Sequence, residues 1–340
     1  MKLVKFGLPD TSVWTFPQAT TPMPPSPFEN ELLTSLFNFS MKFSTPMTIA
    51  LVYFSSVHII NPIIIKRQKA KYLLKNEKID KDSRVPPAPY AISQTPLFRL
   101  FVLLHNVFLC VYSIWTFVGM TSSIGRTMSL FKRDILPELF DNSQPFKKLE
   151  VFFQSVCDSK NGLFSRQEYH NLEIFGYWFY ISKFYEVLDT IIILLKGRPS
   201  SLLQSYHHSG AMMCMWAGVR FQSPPIWIFV VFNSFIHSLM YFYFSLSCLH
   251  IKVPNAFKRA LTSLQITQFI IGGSIAILHA FVFYIDTAVD PEVVGKENMK
   301  LISCISSPDQ AIPVLLNVAY LAPLTALFGA FYIESYLKRK

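Results

Sequence analysis

Charged residues are scarce in this chain. Asp, Glu, Lys and Arg supply 15% of its 340 residues, hydrophobic residues supply 51%, and the mean hydropathy is +0.33. A soluble domain usually carries about 25% charged residues. The shortage of charge, together with 32 Phe, therefore argues against an ordinary soluble protein and indicates a surface that faces lipid.

Several other features are absent. The five cysteines are scattered, and neither a CxxC pair nor a disulfide framework is expected from their spacing. The N-terminus lacks a signal peptide with a small-residue cleavage site, so the first span is expected to insert the protein. No internal repeat is visible. The formal net charge of +10 is interpreted as a sign of contact with lipid headgroups and of membrane orientation, rather than of nucleic-acid binding.

Seven apolar segments are long enough to cross a bilayer, which requires about 20 mostly apolar residues. They predict an all-α polytopic membrane protein whose seven-span domain covers residues 43–336. Residues 1–42 are predicted to form an irregular tail with a short helix near Glu31–Phe39, and segment 121–171 is left unassigned. The predicted spans are Phe43–Ile65, Leu97–Met120, Leu172–Leu195, Ser201–Val219, Pro224–His250, Thr262–Ile285 and Ile312–Tyr336.

Lysine and arginine predict the orientation of these spans, because short cytosolic loops are rich in both. With seven spans, every strongly basic loop falls on the same side. We therefore expect a lumenal tail, residues 1–42, and a basic cytosolic C-terminus, residues 337–340. The basic residues are Lys66, Arg67, Lys69, Lys71, Lys75, Lys78, Lys81, Arg84, Lys196, Arg198, Lys252, Lys258, Arg259, Lys338, Arg339 and Lys340.

Four polar clusters interrupt the predicted spans, where a charged group costs a few kcal/mol unless it is paired or solvated. Spacings of three and four residues place the members of each cluster on one helix face. All four lie between the middle and the predicted cytosolic end of their spans, which indicates one cavity open to the cytosol. They are Lys183, Glu186, Asp189 and Thr190; Gln204, His207 and His208; Asn233, His237, Met240, Tyr241 and Tyr243; and Thr262, Gln265 and Gln268.

Each cluster also has a purely structural explanation. The first could be a buried ion pair that joins helices, the tyrosines could belong to packing, and the glutamines could bond between helices. A lone buried histidine is usually structural, whereas an adjacent pair opposite carboxylates is typical of acid–base, nucleophilic or metal chemistry. The residues alone leave the reaction open.

The four clusters resemble the motifs of the fatty acid elongase (ELO) family of the endoplasmic reticulum. That family shows KxxExxDT, HxxHH, HxxMYxY and TxxQxxQ in this order, and the chain shows KxxExxDT, QxxHH, HxxMYxY and TxxQxxQ, beginning at Lys183, Gln204, His237 and Thr262. The departure is Gln204, where most members have histidine. It resembles a variant seen in some elongases that act on polyunsaturated acyl chains.

The resemblance implies condensation of an acyl-CoA with malonyl-CoA to 3-oxoacyl-CoA, carbon dioxide and free CoA, in a helix bundle around an acyl-CoA tunnel. No cofactor and no metal are expected, and polyunsaturated or long-chain acyl-CoA are the candidate substrates. A ping-pong reaction through an acyl-imidazole is implied, with His207 as nucleophile and with His208 and His237 orienting or polarising the thioester and malonyl groups. Asn233 and Tyr241 are candidate donors to the enolate oxygen.

The remaining site residues follow from the same resemblance. Lys183, Glu186 and Asp189 are expected to complete the catalytic group, with the carboxylates setting the histidine tautomer and pairing with the lysine. The predicted substrate-binding residues are Gln204, Asn233, Tyr241, Tyr243, Thr262, Gln265 and Gln268.

Localisation and partners are further expectations. The resemblance implies a multi-pass protein of the endoplasmic reticulum membrane that works with a 3-oxoacyl-CoA reductase and a 3-hydroxyacyl-CoA dehydratase; the oligomeric state is left open. Two alternatives remain. A di-iron membrane desaturase or hydroxylase would fit the QxxHH box, although the other histidines stand singly apart from this pair. A seven-span proton-coupled transporter would fit intramembrane Lys, Glu and Asp, although carriers commonly contain repeats.

Overall fold

The architecture is a bundle of long helices with a small antiparallel sheet at one end. A computed structural model describes residues 3–17, 21–74, 85–135, 145–165, 172–288 and 299–338. The strands β1 Val4–Phe6, β2 Val282–Ile285 and β3 Leu301–Ser303 pair in the order β1-β2-β3. The helices are α1 Glu31–Ser40, α2 Ser44–Leu73, α3 Pro96–Leu130, α4 Pro145–Cys157, α5 Leu172–Tyr185, α6 Val187–Leu195, α7 Leu202–Arg220, α8 Ile226–Cys248, α9 Asn255–Leu278 and α10 Pro308–Tyr332.

Side-chain caps fix where several helices begin. The Thr95 hydroxyl accepts a hydrogen bond from the Phe98 amide at the start of α3, and Ser201 accepts one from the Gln204 amide at the start of α7. Caps of this kind typically contribute about 1 kcal/mol. The cap at Ser201 therefore fixes the start of the helix that carries the predicted histidine box.

Five helical segments of the described chain are long and apolar enough to cross a membrane, which makes the protein a multi-pass membrane protein. The other two predicted spans differ: the third is divided into α5 and α6 at Glu186, and the fourth, α7, carries polar side chains. Both pack within the bundle, so the fold is compatible with seven spans while five are shown. The five are Ser44–Leu73, Pro96–Ile135, Ile226–Cys248, Asn255–Phe281 and Pro308–Leu337.

The two ends of the bundle differ in their chemistry. One end, which we call the sheet end, holds the sheet, α1 and α4. The other, which we call the basic end, lies where α2 finishes and where α6 connects to α7 and α8 to α9. Its described basic residues are Lys66, Arg67, Lys69, Lys71, Arg99, Lys196, Arg198, Lys252, Lys258, Arg259 and Lys338, while Lys75, Lys78, Lys81, Arg84, Arg339 and Lys340 lie outside the described residues.

The prediction of an all-α fold is wrong at the sheet end. The sixth span was expected to continue to Ile285, but α9 ends at Leu278 and Val282–Ile285 is the central strand of the sheet. Val4 pairs with Tyr284 on one side and Phe283 pairs with Ser303 on the other. A short apolar strand that follows an apolar helix cannot be separated from that helix by hydropathy alone. The prediction of a short helix near Glu31–Phe39 is confirmed by α1.

The expectation that the cysteines form no disulfide is also wrong. Cys157, the last residue of α4, is bonded to Cys304, which directly follows β3. The two residues are 147 positions apart in sequence and belong to no spacing motif, so only the fold brings them together. Cys110, Cys214 and Cys248 are free.

Asp158 organises the polar contacts next to this disulfide. Its carboxylate accepts hydrogen bonds from the Thr287 hydroxyl at 2.6 Å and from the Gln154 amide at 3.0 Å. The backbone amides of Lys160 and Asn161 donate to its other oxygen at 2.9 and 2.8 Å. Burial raises the pKa of Asp158, while the hydrogen bonds act to lower it. The carboxylate therefore ties α4 to the segment that follows β2.

We expect Asp158→Asn to lower the free energy of unfolding by about 1–3 kcal/mol, the cost of leaving buried donors unsatisfied. The new amide would present N–H groups to Thr287 and Gln154, which donate in the native protein. Denaturant unfolding of the detergent-solubilised protein measures the change. Asp134→Asn, at an exposed position, is the matched control and should change stability by less than about 0.5 kcal/mol. Equal stability of the two variants would contradict this role of Asp158.

Candidate active site

A buried ion pair lies at the break between α5 and α6. Lys183 Nζ is 2.7 Å from Glu186 Oε1, and the two side chains are 2% and 3% exposed. Lys183 also donates to Asn233 Oδ1 at 3.1 Å, and its ammonium lies 4.0 Å from the centre of the Phe179 ring. Since an unpaired buried charge costs several kcal/mol, these contacts are what hold the lysine in place.

The second carboxylate of this stretch has different partners. Asp189 Oδ1 is 2.9 Å from His105 Nε2, and Asp189 Oδ2 accepts a hydrogen bond from the Tyr241 hydroxyl at 2.6 Å. His105 reaches the Tyr185 hydroxyl through Nδ1 at 3.4 Å. No role was predicted for His105 because it stands alone in α3. The signal in the sequence that could have identified it is an ionisable side chain within an otherwise apolar span.

Thr190 joins the end of this stretch to two other helices. Its hydroxyl lies 2.8 Å from the Tyr53 hydroxyl and accepts a hydrogen bond from Gln204 Nε2 at 3.1 Å. The amide of Gln204 is therefore held by Thr190, and the residue that replaces the family's first box histidine has a fixed position beside the other two.

Two histidines from two helices flank Glu186, and a third, His207, lies beside both of them. His237 Nδ1 is 3.8 Å from Glu186 Oε1, and His208 Nδ1 is 4.0 Å from Glu186 Oε2. The ring centres of His207 and His208 are 5.4 Å apart, and those of His207 and His237 are 6.3 Å apart. Among the described residues, no group of three or more His, Cys, Asp or Glu side chains is arranged to hold a metal ion. The arrangement instead places imidazoles around one carboxylate, which suits proton handling and nucleophilic chemistry.

A tyrosine of α10 contacts His207 at two points. The Tyr320 hydroxyl donates to the His207 backbone oxygen at 3.0 Å, and the same hydroxyl oxygen lies 2.8 Å from His207 Nδ1. The contact with the backbone oxygen, which can only accept, favours a hydroxyl that accepts at Nδ1, and in that arrangement Nδ1 carries the ring proton. His207 Nε2 is then left with the lone pair. Tyr320 was absent from the predicted site because it belongs to none of the four motifs and lies on a different helix from all of them.

A wide cavity of about 1030 Å³ extends from the histidines to the basic end. His207, His208 and His237 line its inner part together with Asp189, whereas its mouth carries cationic side chains and one carboxylate, Glu334. Cations at the entrance of a deep site attract anionic groups. The cationic residues at the mouth are Arg99, Lys196 and Arg198.

A narrow chamber of about 50 Å³ continues from His207 in the opposite direction. His207, Asn233, Gln268 and Phe269 line both spaces and therefore stand at their junction. Beyond the junction the walls are mainly apolar. They include Phe179, Ala211, Met215, Ile228, Phe232, Gly272 and Leu321.

The predicted site residues do not all face these spaces. Thr262 and Tyr241 line neither the wide cavity nor the narrow chamber: the Thr262 hydroxyl bonds to the Lys258 backbone oxygen and lies near the Tyr336 hydroxyl, and Tyr241 is fully buried. Glu186 also lies behind the cavity walls, and Lys183 faces only the narrow chamber. The wide cavity is lined by Asp189, Gln204, His207, His208, Asn233, His237, Tyr243, Gln265 and Gln268.

Comparison with known proteins places this site in a family. The model of the ELO family, described as the GNS1/SUR4 family, matches residues 38–340. The chain belongs to this family. Membership favours a fatty acid elongase over the desaturase and transporter alternatives, and it confirms the family resemblance inferred from the four motifs.

Individual relatives carry elongase names. The chain is 30% identical to Fatty acid elongase 2 of Trypanosoma brucei brucei over 169 residues, which are 48% of this chain and 58% of that protein. It is 30% identical to Long chain fatty acid elongase 1 of Caenorhabditis elegans over 168 residues, 48% of this chain and 52% of the relative. Fatty acid elongase 2 of Trypanosoma cruzi is 24% identical over 253 residues, 73% and 77% of the two chains. The chain thus spans little more than half the length of the first two ELO-family relatives.

Proposed function

We propose that this ELO-family protein condenses an acyl-CoA with malonyl-CoA and releases 3-oxoacyl-CoA, carbon dioxide and CoA. The observation that carries the proposal is the position of His207, which stands where a wide cavity with a cationic mouth meets a narrow apolar chamber. A molecule with an anionic head, a reactive centre and an apolar tail matches that sequence of surroundings.

The substrate fits the site in three parts. The phosphates of CoA would lie at the mouth, where Arg99, Lys196 and Arg198 can donate charge-assisted hydrogen bonds. The thioester carbonyl would reach His207, and the acyl tail would enter the narrow chamber. Polyunsaturated and long-chain acyl groups are the proposed substrates.

The proposed chemistry begins at His207 Nε2, the nitrogen that is unprotonated when the Tyr320 hydroxyl accepts at Nδ1. This nitrogen attacks the thioester carbon, the C–S bond breaks, and CoA leaves as a thiolate that takes a proton from solvent. The acyl group is held on the imidazole, whose Nδ1 keeps its proton. Malonyl-CoA then loses carbon dioxide, and the electron pair of its broken C–C bond forms an enolate that attacks the acyl carbon. The new C–C bond releases 3-oxoacyl-CoA and restores neutral His207.

The surrounding residues stabilise the charges that develop. Lys183 occupies Asn233 Oδ1, so the N–H groups of this amide remain to donate to an oxygen at the junction, such as the enolate oxygen. His208 and His237 are proposed to orient the malonyl and thioester groups. The hydroxyl of Tyr241 already donates to Asp189. We therefore assign Tyr241 to positioning Asp189 rather than to the enolate.

The proposed setting is the endoplasmic reticulum membrane, with the basic end in the cytosol and the N-terminal tail in the lumen. The basic side chains at the ends of α2, α6 and α8 support this orientation. Malonyl-CoA would then reach the mouth from the cytosol. A 3-oxoacyl-CoA reductase and a 3-hydroxyacyl-CoA dehydratase would consume the product.

The test is a condensation assay on the purified protein in detergent, supplied with a panel of acyl-CoA and radiolabelled malonyl-CoA. We expect 3-oxoacyl-CoA and carbon dioxide to form in equal amounts, and only when both substrates are present. Absence of condensation with every acyl-CoA would overturn the proposal. Stoichiometric iron together with oxidation of the acyl chain would replace it with the desaturase alternative.

We expect Tyr320→Phe to slow the release of CoA from acyl-CoA by about tenfold to a hundredfold, the range known for loss of a partner that orients a metal-bound histidine. Without the hydroxyl, the proton of His207 is no longer held at Nδ1, and part of the protein would carry it on the attacking nitrogen. Rapid-quench measurement of CoA release in the absence of malonyl-CoA isolates this step.

Tyr206→Phe is the matched control. The Tyr206 ring stacks on Tyr320 and its hydroxyl donates to the Tyr320 backbone oxygen. Loss of the Tyr206 hydroxyl therefore removes a neighbouring contact of Tyr320 and leaves the contact between Tyr320 and His207 in place. CoA release should change by less than about threefold in this variant. A Tyr320→Phe protein with the native rate of CoA release would show that the tautomer is fixed by something else.

A further inference from the structure

Two glutamines of α9 lie about one helical turn apart on the wall of the wide cavity. Gln265 and Gln268 both line this space, and Gln268 also reaches the junction where His207 stands. Because α9 runs inward from the basic end, Gln265 is nearer the mouth and Gln268 lies about 4.5 Å deeper, at a rise of about 1.5 Å per residue. A molecule that enters at the mouth therefore passes the two amides in sequence on its way to His207.

The side-chain amides of these glutamines are hardly used by the fold. Among the described residues, the Gln268 side chain makes no hydrogen bond, and its carbonyl oxygen is buried without a partner. Gln265 Nε2 reaches only the Met240 sulfur, at 3.8 Å, and a thioether sulfur is a weak acceptor. The explanation that these amides bond between helices therefore fails for Gln268 and accounts for one weak contact of Gln265.

Unpaired amides inside an apolar bundle point to a ligand that pairs with them. Such a group costs free energy because it has left water without gaining a partner. A neutral amide offers both a donor and an acceptor, so another neutral amide complements it better than a phosphate or a carboxylate does. The side chains that suit phosphates, Arg99, Lys196 and Arg198, lie at the mouth instead.

CoA carries two secondary amides in the arm between its phosphates and its sulfur. They are separated by two methylenes, one carbon more than separates neighbouring peptide groups, so they lie about 5 Å apart when the arm is extended. Residues three positions apart on a helix have Cβ atoms about 5–6 Å apart. The two amides of the arm therefore match the spacing of Gln265 and Gln268.

We propose that Gln265 and Gln268 bind the two amides of the CoA arm, with Gln268 on the amide next to the sulfur and Gln265 on the amide toward the phosphates. The inference rests on the proposed function for its ligand, since both proposed substrates are CoA thioesters. Rotation about the last side-chain bond lets each glutamine donate through Nε2 or accept through Oε1. Acyl-CoA and malonyl-CoA carry the same arm, so one pair of glutamines fixes how far either thioester enters toward His207.

The experiment measures dissociation constants by titration calorimetry in detergent for the wild-type, Gln265→Leu and Gln268→Leu proteins, which requires no turnover. The ligands are CoA and 3′-phosphoadenosine 5′-diphosphate, which keeps the phosphates and lacks the arm. We expect each substitution to weaken CoA binding by about threefold to tenfold, the loss of about one hydrogen bond. Binding of the ligand without the arm should change by less than about twofold.

Two CoA analogues, each with an ester oxygen in place of one amide N–H, assign each glutamine to its amide. The ester next to the sulfur should weaken binding to the wild type and have no further effect in Gln268→Leu, whereas its effect should multiply with that of Gln265→Leu. The ester toward the phosphates should give the reverse pattern. Effects that multiply in all four combinations would show that neither glutamine contacts an amide of the arm.

Thr267→Leu is the matched control, since Thr267 lies between the two glutamines at an exposed position of α9. It should bind CoA as the wild type does. Because Gln268→Leu removes an unpaired buried amide, its unfolding midpoint in denaturant should not fall below that of the wild type. A lower midpoint together with weaker binding of the ligand without the arm would assign Gln268 to folding and overturn the proposal.

The two proposals fail in different ways. Protein that binds CoA with the expected pairing but condenses no acyl-CoA supports the arm site and refutes the proposed function. Protein that condenses acyl-CoA, and whose CoA binding is unchanged in both leucine variants, refutes the arm site alone.

Discussion

Replacing His207 with alanine is expected to lower condensation by roughly a thousandfold or more, the scale on which loss of a nucleophile acts. Among the described histidines, His207 is the one that lines both the wide cavity and the narrow chamber, and its Nε2 is the proposed attacking atom. Without it no acyl-enzyme can form. The measurement is the rate of 3-oxoacyl-CoA formation from labelled malonyl-CoA, with the release of CoA from acyl-CoA alone followed in parallel.

The parallel measurement gives this prediction its specificity. Wild-type protein should release up to one equivalent of CoA before malonyl-CoA is added, as a ping-pong reaction requires, and His207→Ala should release none. His208→Ala and His237→Ala should slow condensation less, by about 10²–10⁴ as expected for groups that orient or transfer protons.

His58→Ala is the control, because His58 lies on an exposed face of α2 and lines neither space. It should keep the wild-type rate. Condensation by His207→Ala within about threefold of the wild type would show that the nucleophile is another group or that the two substrates react directly.

Replacing Glu186 with alanine is expected to reduce the free energy of unfolding by about 3–5 kcal/mol, because Lys183 would be left as an unpaired buried charge. The same change removes the carboxylate beside the Nδ1 atoms of His208 and His237, so condensation should fall as well. Unfolding of the protein in mixed detergent and denaturant measures the first effect, and the condensation assay measures the second.

The double variant Lys183→Leu with Glu186→Leu separates these two roles. Replacing both members of a buried ion pair by apolar side chains is often neutral for stability, so the double variant should regain most of the lost stability and none of the activity. Glu29→Ala, at an exposed position, is the control for loss of a glutamate. Full stability of the Glu186→Ala protein would mean that Lys183 finds another partner or loses its proton when Glu186 is absent.

The polar residues of the site could be found in the sequence because helical spacing records which side chains share a face. The spacing from Lys183 to Glu186 corresponds to the ion pair in the structure, and the box histidines meet His237 at the predicted depth. Spacing within one helix says nothing about partners on others. Asp189 was expected beside Lys183 but bonds to His105 and Tyr241, and Tyr320 reaches His207 from a helix more than a hundred residues later.

The parts of the fold that were not predicted lie at the sheet end and depend on pairing between distant segments. Apolar character identified the membrane helices because a helix in lipid pairs its backbone polar groups internally and presents apolar side chains to the lipid. The same apolar character hid β2, whose identity as a strand depends on neighbours supplied by Val4–Phe6 and Leu301–Ser303. The Cys157–Cys304 pair depends on that sheet in turn.

The pairing of β1 with β2 also constrains how the protein is made. β1 leaves the ribosome first, yet its register joins Val4 to Tyr284, about 280 residues later. The tail must therefore wait, unpaired, while the helices from α2 to α9 are delivered to the bilayer one after another. The sheet is a late step of biogenesis, because its last strand comes after α9 and, of the described helices, α10 alone follows it. Substitutions in β1 should accordingly act after most of the bundle is assembled. They would prevent the sheet from forming rather than prevent the helices from inserting.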